Sequence, residues 1–379
     1  MSPGWRNWNW QRKTLRRLSI LDTTLRDGDQ AAGFAFSPEE KHTLARALIE
    51  AGVDTVETGF PLSAPVDFDL CRDLAREFPG RSAVMCRGRR EDIAATAKVF
   101  AGTTPGLLHI SLPVSALHIR VKLGITEAEL LKRAVELSAY AAGLVPDIEL
   151  GAEDATRADQ NFLQDYCGAA FSAGVRTVNI ADTLGVSGPG EFGALVAFLR
   201  RSFPANSISV HCHNDFGLAL ANTLAAIDAG CDQVEAAAGG IGERAGNTAL
   251  EELCLSLTAR QHGVTTGLKP EKIAPLIACV REIAVIDSPL KALSGWNIRA
   301  HASGIHQQGL ARNSDTYAIP ALDTISPGPD RIVLSRHSGQ AGLELFAQRY
   351  CGLDPEKPAP QGEPPRKLRD ILDRIKSAP

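Results

Sequence analysis

Eight short β-branched or apolar runs alternate with amphipathic helical runs between Leu18 and about Arg244. They read LSILDTT, VDTVETGF, SAVMCRG, GLLHISLP, DIELGAED, RTVNIADT, SISVHCH and DQVEAAAG. Strands that pair in parallel need a long crossover, and a helix supplies it while covering the sheet. Eight such units predict a closed (β/α)8 TIM barrel of the α/β class. A doubly wound open sheet does not require eight strands and favours an early Gly-rich turn, which is absent.

The helices carry their own start and stop signals. SPEEKHTLARALIEAG opens with Ser37 as N-cap, Pro38 at the first helical position and Glu40 completing a capping box, then closes at Gly52. Leu44, Leu48 and Ile49 form its apolar stripe. TEAELLKRAVELSAYAAG repeats the design with Thr126, Glu129 and Gly143, and DFGLALANTLAAIDAG stops at Gly230. After about residue 262 the texture changes to one helix, GLKPEKIAPLIACVREIAVI, and a Gly-, Ser- and His-rich stretch. This divides the chain into an N-terminal arm (1–17), a barrel (18–265), a small, mostly helical C-terminal region (266–353), and a Pro-rich linker with a terminal helix (354–379).

The arm places Trp5, Trp8 and Trp10 ahead of Arg12, Lys13, Arg16 and Arg17. It has no apolar core of a secretory signal, and reads as a segment packing on the body or on a partner subunit. A net charge of -4 gives no general argument for nucleic acid or an anionic membrane. No apolar run approaches the roughly 20 residues that span a bilayer. Eight cysteines, none in C-x-x-C, read as reduced, mostly buried thiols of a cytoplasmic protein.

The seventh run ends in HCHND. Residues i and i+2 of a strand point the same way, so His211 and His213 aim together and Cys212 aims away. Two converging neutral imidazoles suit a divalent metal; two polar residues closing a strand are the alternative, and a carboxylate from elsewhere must decide. Barrel enzymes place chemistry at the C-terminal strand ends. Those ends supply Arg26, Asp27 and Gln30; Glu57; Arg87; Ser111 and Ser115; Glu153 and Asp154; Asp182 and Thr183; the two histidines; and GGIGERAGN. Some of these carry structural alternatives: Glu57 pairing with Arg26, and Asp154 or Asp182 orienting neighbours. One Asp and two His leave three octahedral positions for water and a chelating substrate. GGIGERAGN follows the eighth strand and departs from G-x-G-x-x-G, so it is not read as a nucleotide fingerprint.

LDTTLRDGDQ, ETGFP, HCHNDFGLALANTLAAIDAG, GIGERAGNTALEE and SGIHQQGL, in this order, resemble the 2-isopropylmalate synthase / homocitrate synthase family across about Leu18 to Leu343. The resemblance implies an acyltransferase that condenses acetyl-CoA with a 2-oxo acid, converting the acyl group into an alkyl group on transfer. It implies a divalent metal (Mn2+, Mg2+, Co2+ or Zn2+) on Asp27, His211 and His213, with Asn247 close by. Arg26 then holds the oxo acid and its developing alkoxide, Thr183 meets the substrate carboxylate, and Glu153, His306 and Tyr317 serve proton transfer. Gln30, Glu57, Arg87 and Arg120 complete the substrate-binding set. In the family the region carrying His306 and Tyr317 crosses onto a partner barrel, which implies a homodimer with shared active sites.

The chain length leaves no room for a leucine-feedback domain and, with HISLPVSALHIRVKLG and GAEDATRAD, resembles nitrogen-fixation-type homocitrate synthases. His118, Arg120 and Lys122 would then meet a second anionic group on the acceptor; a solvated loop is the alternative. A 2-isopropylmalate-type pocket needs an apolar lining instead. Citramalate synthesis, oxaloacetate and phosphono- or phosphinopyruvate acceptors stay open. Departures from the family pattern fall at Gly239–Gly240, at Ala302 in HASGIH and at Gln308. A non-catalytic CoA- or metal-binding protein is the rival from a different class.

Overall fold

The computed structural model describes residues 15–259, 262–284, 296–317 and 329–351, together with 370, 373 and 374. Most of the tryptophan-rich arm and of the Pro-rich linker and terminal helix lies outside the described residues. All eight runs are strands: β1 Ser19–Asp22, β2 Thr55–Glu57, β3 Ser82–Arg87, β4 Leu107–Pro113, β5 Asp147–Glu153, β6 Thr177–Asp182, β7 Ser207–Cys212 and β8 Gln233–Ala236. They pair in parallel in chain order, and β1 closes the ring against β8.

The sequence signals act where they stand. Helix α1, Pro38–Glu50, begins at a complete Ser37–Glu40 capping box. Gly52 follows it at φ 93°, a left-handed conformation that favours glycine, and a Cβ there would lie 1.9 Å from the Gly267 carbonyl. Next come α2 Pro65–Glu77, α3 Arg90–Ala97, α4 Glu127–Ala142, α5 Gln160–Ser172, α6 Pro189–Ser202, α7 Ala219–Ala229 and α8 Leu250–Ala259. Helix α9, Pro270–Ala284, packs its buried Ile273, Leu276 and Val280 into the same core.

Both faces of each barrel strand are buried, but unlike groups fill them. Leu108, Ile110, Leu150, Val178, Ile180 and Val210 join the main apolar core. The alternate positions His109, Ser111, Gly151, Glu153, Asn179, Ala181, His211 and Glu235 line a cavity inside the barrel. Leu21, Ala83 and Leu107 form a separate small apolar cluster. Buried polar groups stay only where partners satisfy them, and a network does this here. Asn179 donates to Glu235 at 2.6 Å and to Ser209 at 3.1 Å; Gln233 donates to Glu149 at 2.7 Å.

The C-terminal region seats α10 Gly304–Arg312 and α11 Gln340–Cys351 at the barrel mouth. Leu310, Tyr317, Ile332 and Leu345 pack with Leu184 from the loop after β6. Buried Asp29 ties this region down, meeting Lys41 at 2.9 Å, His337 at 3.1 Å and Arg336. Arg16–Arg17 pairs with Val264–Thr265, fastening the end of the arm to the chain just past the barrel. Seven described cysteines are free, six of them buried. No helix among the described residues is long and apolar enough to cross a membrane.

Candidate active site and metal centre

A tight turn after β1 delivers two site residues. The amides of Arg26, Asp27 and Gly28 all donate to the Thr23 carbonyl, which turns Arg26 and Asp27 into the mouth. One Asp27 oxygen accepts from the Glu243 amide at 2.8 Å. The other lies 3.9 Å from Nε2 of His211 and 3.9 Å from Nε2 of His213. The missing carboxylate thus comes from the first strand end, some 180 residues upstream.

Several observations fit this trio to a divalent cation. The three ligand atoms lie within 4.8 Å of one another and all three residues are buried. Burial, aided by the Arg244 charge, holds the His213 imidazole well below its usual range, so it is neutral and has a lone pair to give. Burial alone would raise the Asp27 carboxyl, but the Arg26 charge, with the hydrogen bond from the Glu243 amide, outweighs it and keeps it ionised. Asn247 pairs with His213 through the backbone, and its buried Oδ1 has no hydrogen-bond partner among the described residues. A Cβ at position 242 would lie 2.8 Å from Asp27 and 2.6 Å from Asn247, so glycine alone leaves the ligands in place. On the side away from the trio, His211 Nδ1 lies 2.8 Å from Glu235.

Arg26 sits among three acids. It pairs with Asp27, meets Glu57 at 2.5 Å and lies 3.9 Å from Glu235. Glu57 also pairs with His109 at 2.9 Å. Burial raises the Glu57 carboxyl, yet Arg26 and His109 overcome it and bring it down to about 2. Burial lowers the His109 imidazole, and Glu57 overcomes that and lifts it to about 9.

This pair sets a pH window. Glu57 contributes stability above its unfolded value near 4.5 and loses it as pH falls towards 2. His109 contributes fully below 6.5 and loses its share as pH rises through about 9. Thermal unfolding should show the pair's full contribution between pH 4.5 and 6.5 and a decline towards pH 9. His109→Gln should flatten the alkaline decline; an unchanged slope would refute the assignment.

On the opposite wall, Glu153 accepts from Lys122 at 2.6 and 2.8 Å and from the Tyr317 hydroxyl at 3.0 Å. Burial raises this carboxyl, but Lys122 and His118 hold it well below the usual range. Burial drives the Tyr317 phenol well above its ordinary value, so it stays a donor. His306 stacks on that ring at 4.1 Å between centroids. Burial and the Arg244 charge keep His306 neutral, with Nδ1 3.7 Å from Glu243. Burial pushes the Glu243 carboxyl up to about 8, against hydrogen bonds from the Ser303 and Ala302 amides.

The sequence-derived site therefore divides. Arg26, Asp27, Gln30, Glu153, Thr183, His211, His213 and His306 line one cavity, with Glu57, Asn247 and Tyr317 bonded around it. Thr183 accepts from the Asp154 amide at 2.8 Å. Arg87 departs from expectation: it is exposed, pairs with Asp92 at 2.5 Å and lines adjoining clefts instead. Arg120 is exposed and outside the cavity lining, because the turn Ile119–Leu123 aims its neighbour Lys122 inward. Lys122 is spent on Glu153. Within this chain Tyr317 meets Glu153 and His306 faces Glu243. Asp182 accepts from Thr156, Ser187 and Asn222 and has an orienting role.

Sequence reading missed Glu243, Arg244, Glu235, Asn179 and His109 as site residues. Their signal is present in part: Glu243 and Arg244 lie within GIGERAGN, and β4, β6 and β8 carry polar residues on the strand period inside apolar runs.

A closed parallel barrel with an Asp–His–His trio at its C-terminal mouth defines the class: a (β/α)8 barrel built around a candidate divalent-metal centre. The HMGL-like family model matches residues 17–280. A 2-isopropylmalate synthase of Pyrococcus furiosus is 42% identical over 86% of this chain and 66% of its own length. The 2-isopropylmalate synthase 1 of Caldanaerobacter subterraneus is 38% identical over 96% of this chain and 93% of its own. The chain belongs to the 2-isopropylmalate synthase family, a family of acyltransferases, within the HMGL-like group. It spans about two thirds of the length of several of these relatives. The HMG-CoA lyase of Bacillus subtilis shares the fold, with a TM-score of 0.61 at 20% identity over 74% of this chain and 98% of that one.

Proposed function

We propose that the chain condenses acetyl-CoA with a 2-oxo acid bearing a short apolar side chain, giving a 2-alkylmalate and free CoA. One observation carries this reading: Arg26, the Asp27–His211–His213 trio and neutral His306 line the same buried cavity. A divalent cation held by the trio, with Asn247 beside it, would polarise the acceptor ketone.

The chain's own groups do the rest. Arg26, pinned by Glu57, offers positive charge where the ketone oxygen becomes an alkoxide. Thr183 meets the acceptor carboxylate. Neutral His306 takes a proton from the acetyl methyl, and the carbanion closes on the ketone carbon. Glu153 holds Lys122 and Tyr317 in place, and protonated Glu243, facing His306, is a nearby proton source for the alkoxide. Water then cleaves the thioester, releasing the CoA thiol.

The acceptor reading follows from the lining. Arg120 lies outside, Lys122 is neutralised by Glu153, and the charge of His109 is balanced by Glu57. Phe60, Met85, Ala181 and Ile305 supply apolar wall. The homocitrate-type acceptor with its second anion therefore gives way to the isopropylmalate type, in keeping with the relatives. Thiol release from acetyl-CoA across a panel of 2-oxo acids should favour 2-oxoisovalerate over 2-oxoglutarate by about 100-fold in kcat/KM, the cost of burying an unpaired carboxylate. A preference for 2-oxoglutarate would overturn this.

The homodimer with exchanged sites rests on the resemblance. Mixed chains carrying Asp27→Ala and His306→Ala decide it: recovered activity marks exchange, and none in verified heterodimers marks the intrachain site described above. A cytoplasmic location is in keeping with the unpaired cysteines.

A further inference from the structure

We propose that Glu243, His301 and His306 form a second cation site, suited to Zn2+, whose filling takes His306 out of proton transfer. The site stands on geometry; its effect on turnover rests on the reading of His306 as the base. One ligand atom from each residue lies within 4.8 Å of the others, and all three residues are buried. His306 Nδ1 stands 3.7 Å from Glu243, close to the 3.9 Å edges of the Asp27–His211–His213 trio. Ligands about 2.0–2.1 Å from a tetrahedral Zn2+ stand roughly 3.3 Å apart, so a small shift closes that edge.

Three atoms of the cluster are buried without a hydrogen-bond partner among the described residues: Glu243 Oε2, His301 Nδ1 and His306 Nδ1. Buried polar atoms are normally paired, so three unpaired atoms in one cluster call for a shared partner. Their neighbours hold them in place. Glu243 Oε1 accepts from the Ala302 and Ser303 amides, both at 3.0 Å, which leaves Oε2 for a cation. His301 ends a short strand, Ala300–His301, that pairs with Arg331–Ile332. Its carbonyl accepts from the Gln307 side chain at 2.9 Å and from the Val333 amide at 3.0 Å. Its Nε2 faces Asp330 at 4.0 Å, as His211 Nδ1 faces Glu235 behind the first trio. The nearby Arg244 charge is matched by Asp215 at 2.7 and 2.8 Å. Two imidazoles and one carboxylate are a zinc donor set, and the nitrogen share favours Zn2+ over Mg2+ or Mn2+. Glu243 and His306 line the catalytic cavity, which gives the ion its way in. Coordination through His306 Nδ1 keeps the ring proton on Nε2, so no lone pair is left for the acetyl methyl, and the ion takes the place of the Glu243 proton.

The test loads the full chain with Zn2+ and reads site and activity separately. Zinc-saturated wild type should hold two tightly bound ions per chain, and His301→Gln and His213→Ala one each. In a zinc-soaked wild-type crystal, anomalous scattering at the zinc edge should place one ion between Glu243, His301 and His306, a reading that needs no variant to fold. In Mn2+-loaded protein, added Zn2+ should lower thiol release by wild type at least tenfold. His301→Gln should keep basal turnover and lose that inhibition. No zinc at this cluster in the crystal, or equal inhibition of wild type and His301→Gln, overturns the proposal. Zinc seated there with turnover unchanged leaves the site standing and overturns the assignment of His306 as the base.

Discussion

Replacing His213 with Ala should abolish metal-dependent thiol release, lowering kcat by about 10³-fold or more, because the several kcal/mol that a bound cation lends to a developing alkoxide are lost. His213 is the clean position for this test. Its imidazole is neutral, its Nδ1 has no hydrogen-bond partner among the described residues, and its Nε2 faces Asp27. Its removal therefore leaves no unpaired buried charge. Two further readouts separate loss of metal from loss of fold. Metal content after dialysis should fall from about one ion per chain to near zero. The rise in melting temperature on adding Mn2+, which the wild type should show because the ion binds only the folded state, should disappear. Retained turnover with retained metal would remove the trio from the mechanism.

Arg26→Met should be both the most destabilising and nearly the most inactivating single change. The guanidinium pairs with Asp27 and Glu57 and faces Glu235, and all four residues are buried. Removing one partner of a buried ionic cluster costs about 3–5 kcal/mol, since the remaining charges stay desolvated. For a chain of this size that is a fall of about 4–6 °C in melting temperature. Arg26→Lys keeps the charge but loses the fork that reaches both acids, so it should recover much of the stability. It should still lose about 100-fold in kcat, the usual cost of removing a preorganised donor at a developing oxyanion. Wild-type kcat in the Lys variant would show that Arg26 is a structural counter-ion alone.

These variants probe parts of the site that differ in how far the sequence reveals them. The strand period placed His211 and His213 on one side of β7 and Cys212 on the other, and the structure agrees. Asp27 was legible because it lies in the turn after a strand that chain order makes the neighbour of β8 in a closed ring. The motifs point to family, fold and candidate cation ligands together. Arg120 and Lys122 show the opposite case. Both looked able to face an acceptor, yet one turn of backbone sends Arg120 to solvent and Lys122 to Glu153. No local pattern encodes which way a loop cation points.

What the sequence by itself determined was therefore whatever repeats along the chain or sits at a strand end: eight strands, their helices, the caps, and the Asp–His–His trio. Tertiary structure alone decided the partners. Glu243 became a neutral acid because burial outweighs its backbone donors. His109 became a cation because Glu57, from a strand two places round the ring, lies 2.9 Å away. Lys122, expected to meet a second anion, pairs with Glu153 instead. Periodicity and capping act over a few residues and leave a trace in the sequence. Pairing and desolvation act across a barrel between residues far apart in the chain, and they set charge, proton position and specificity only once the ring has closed.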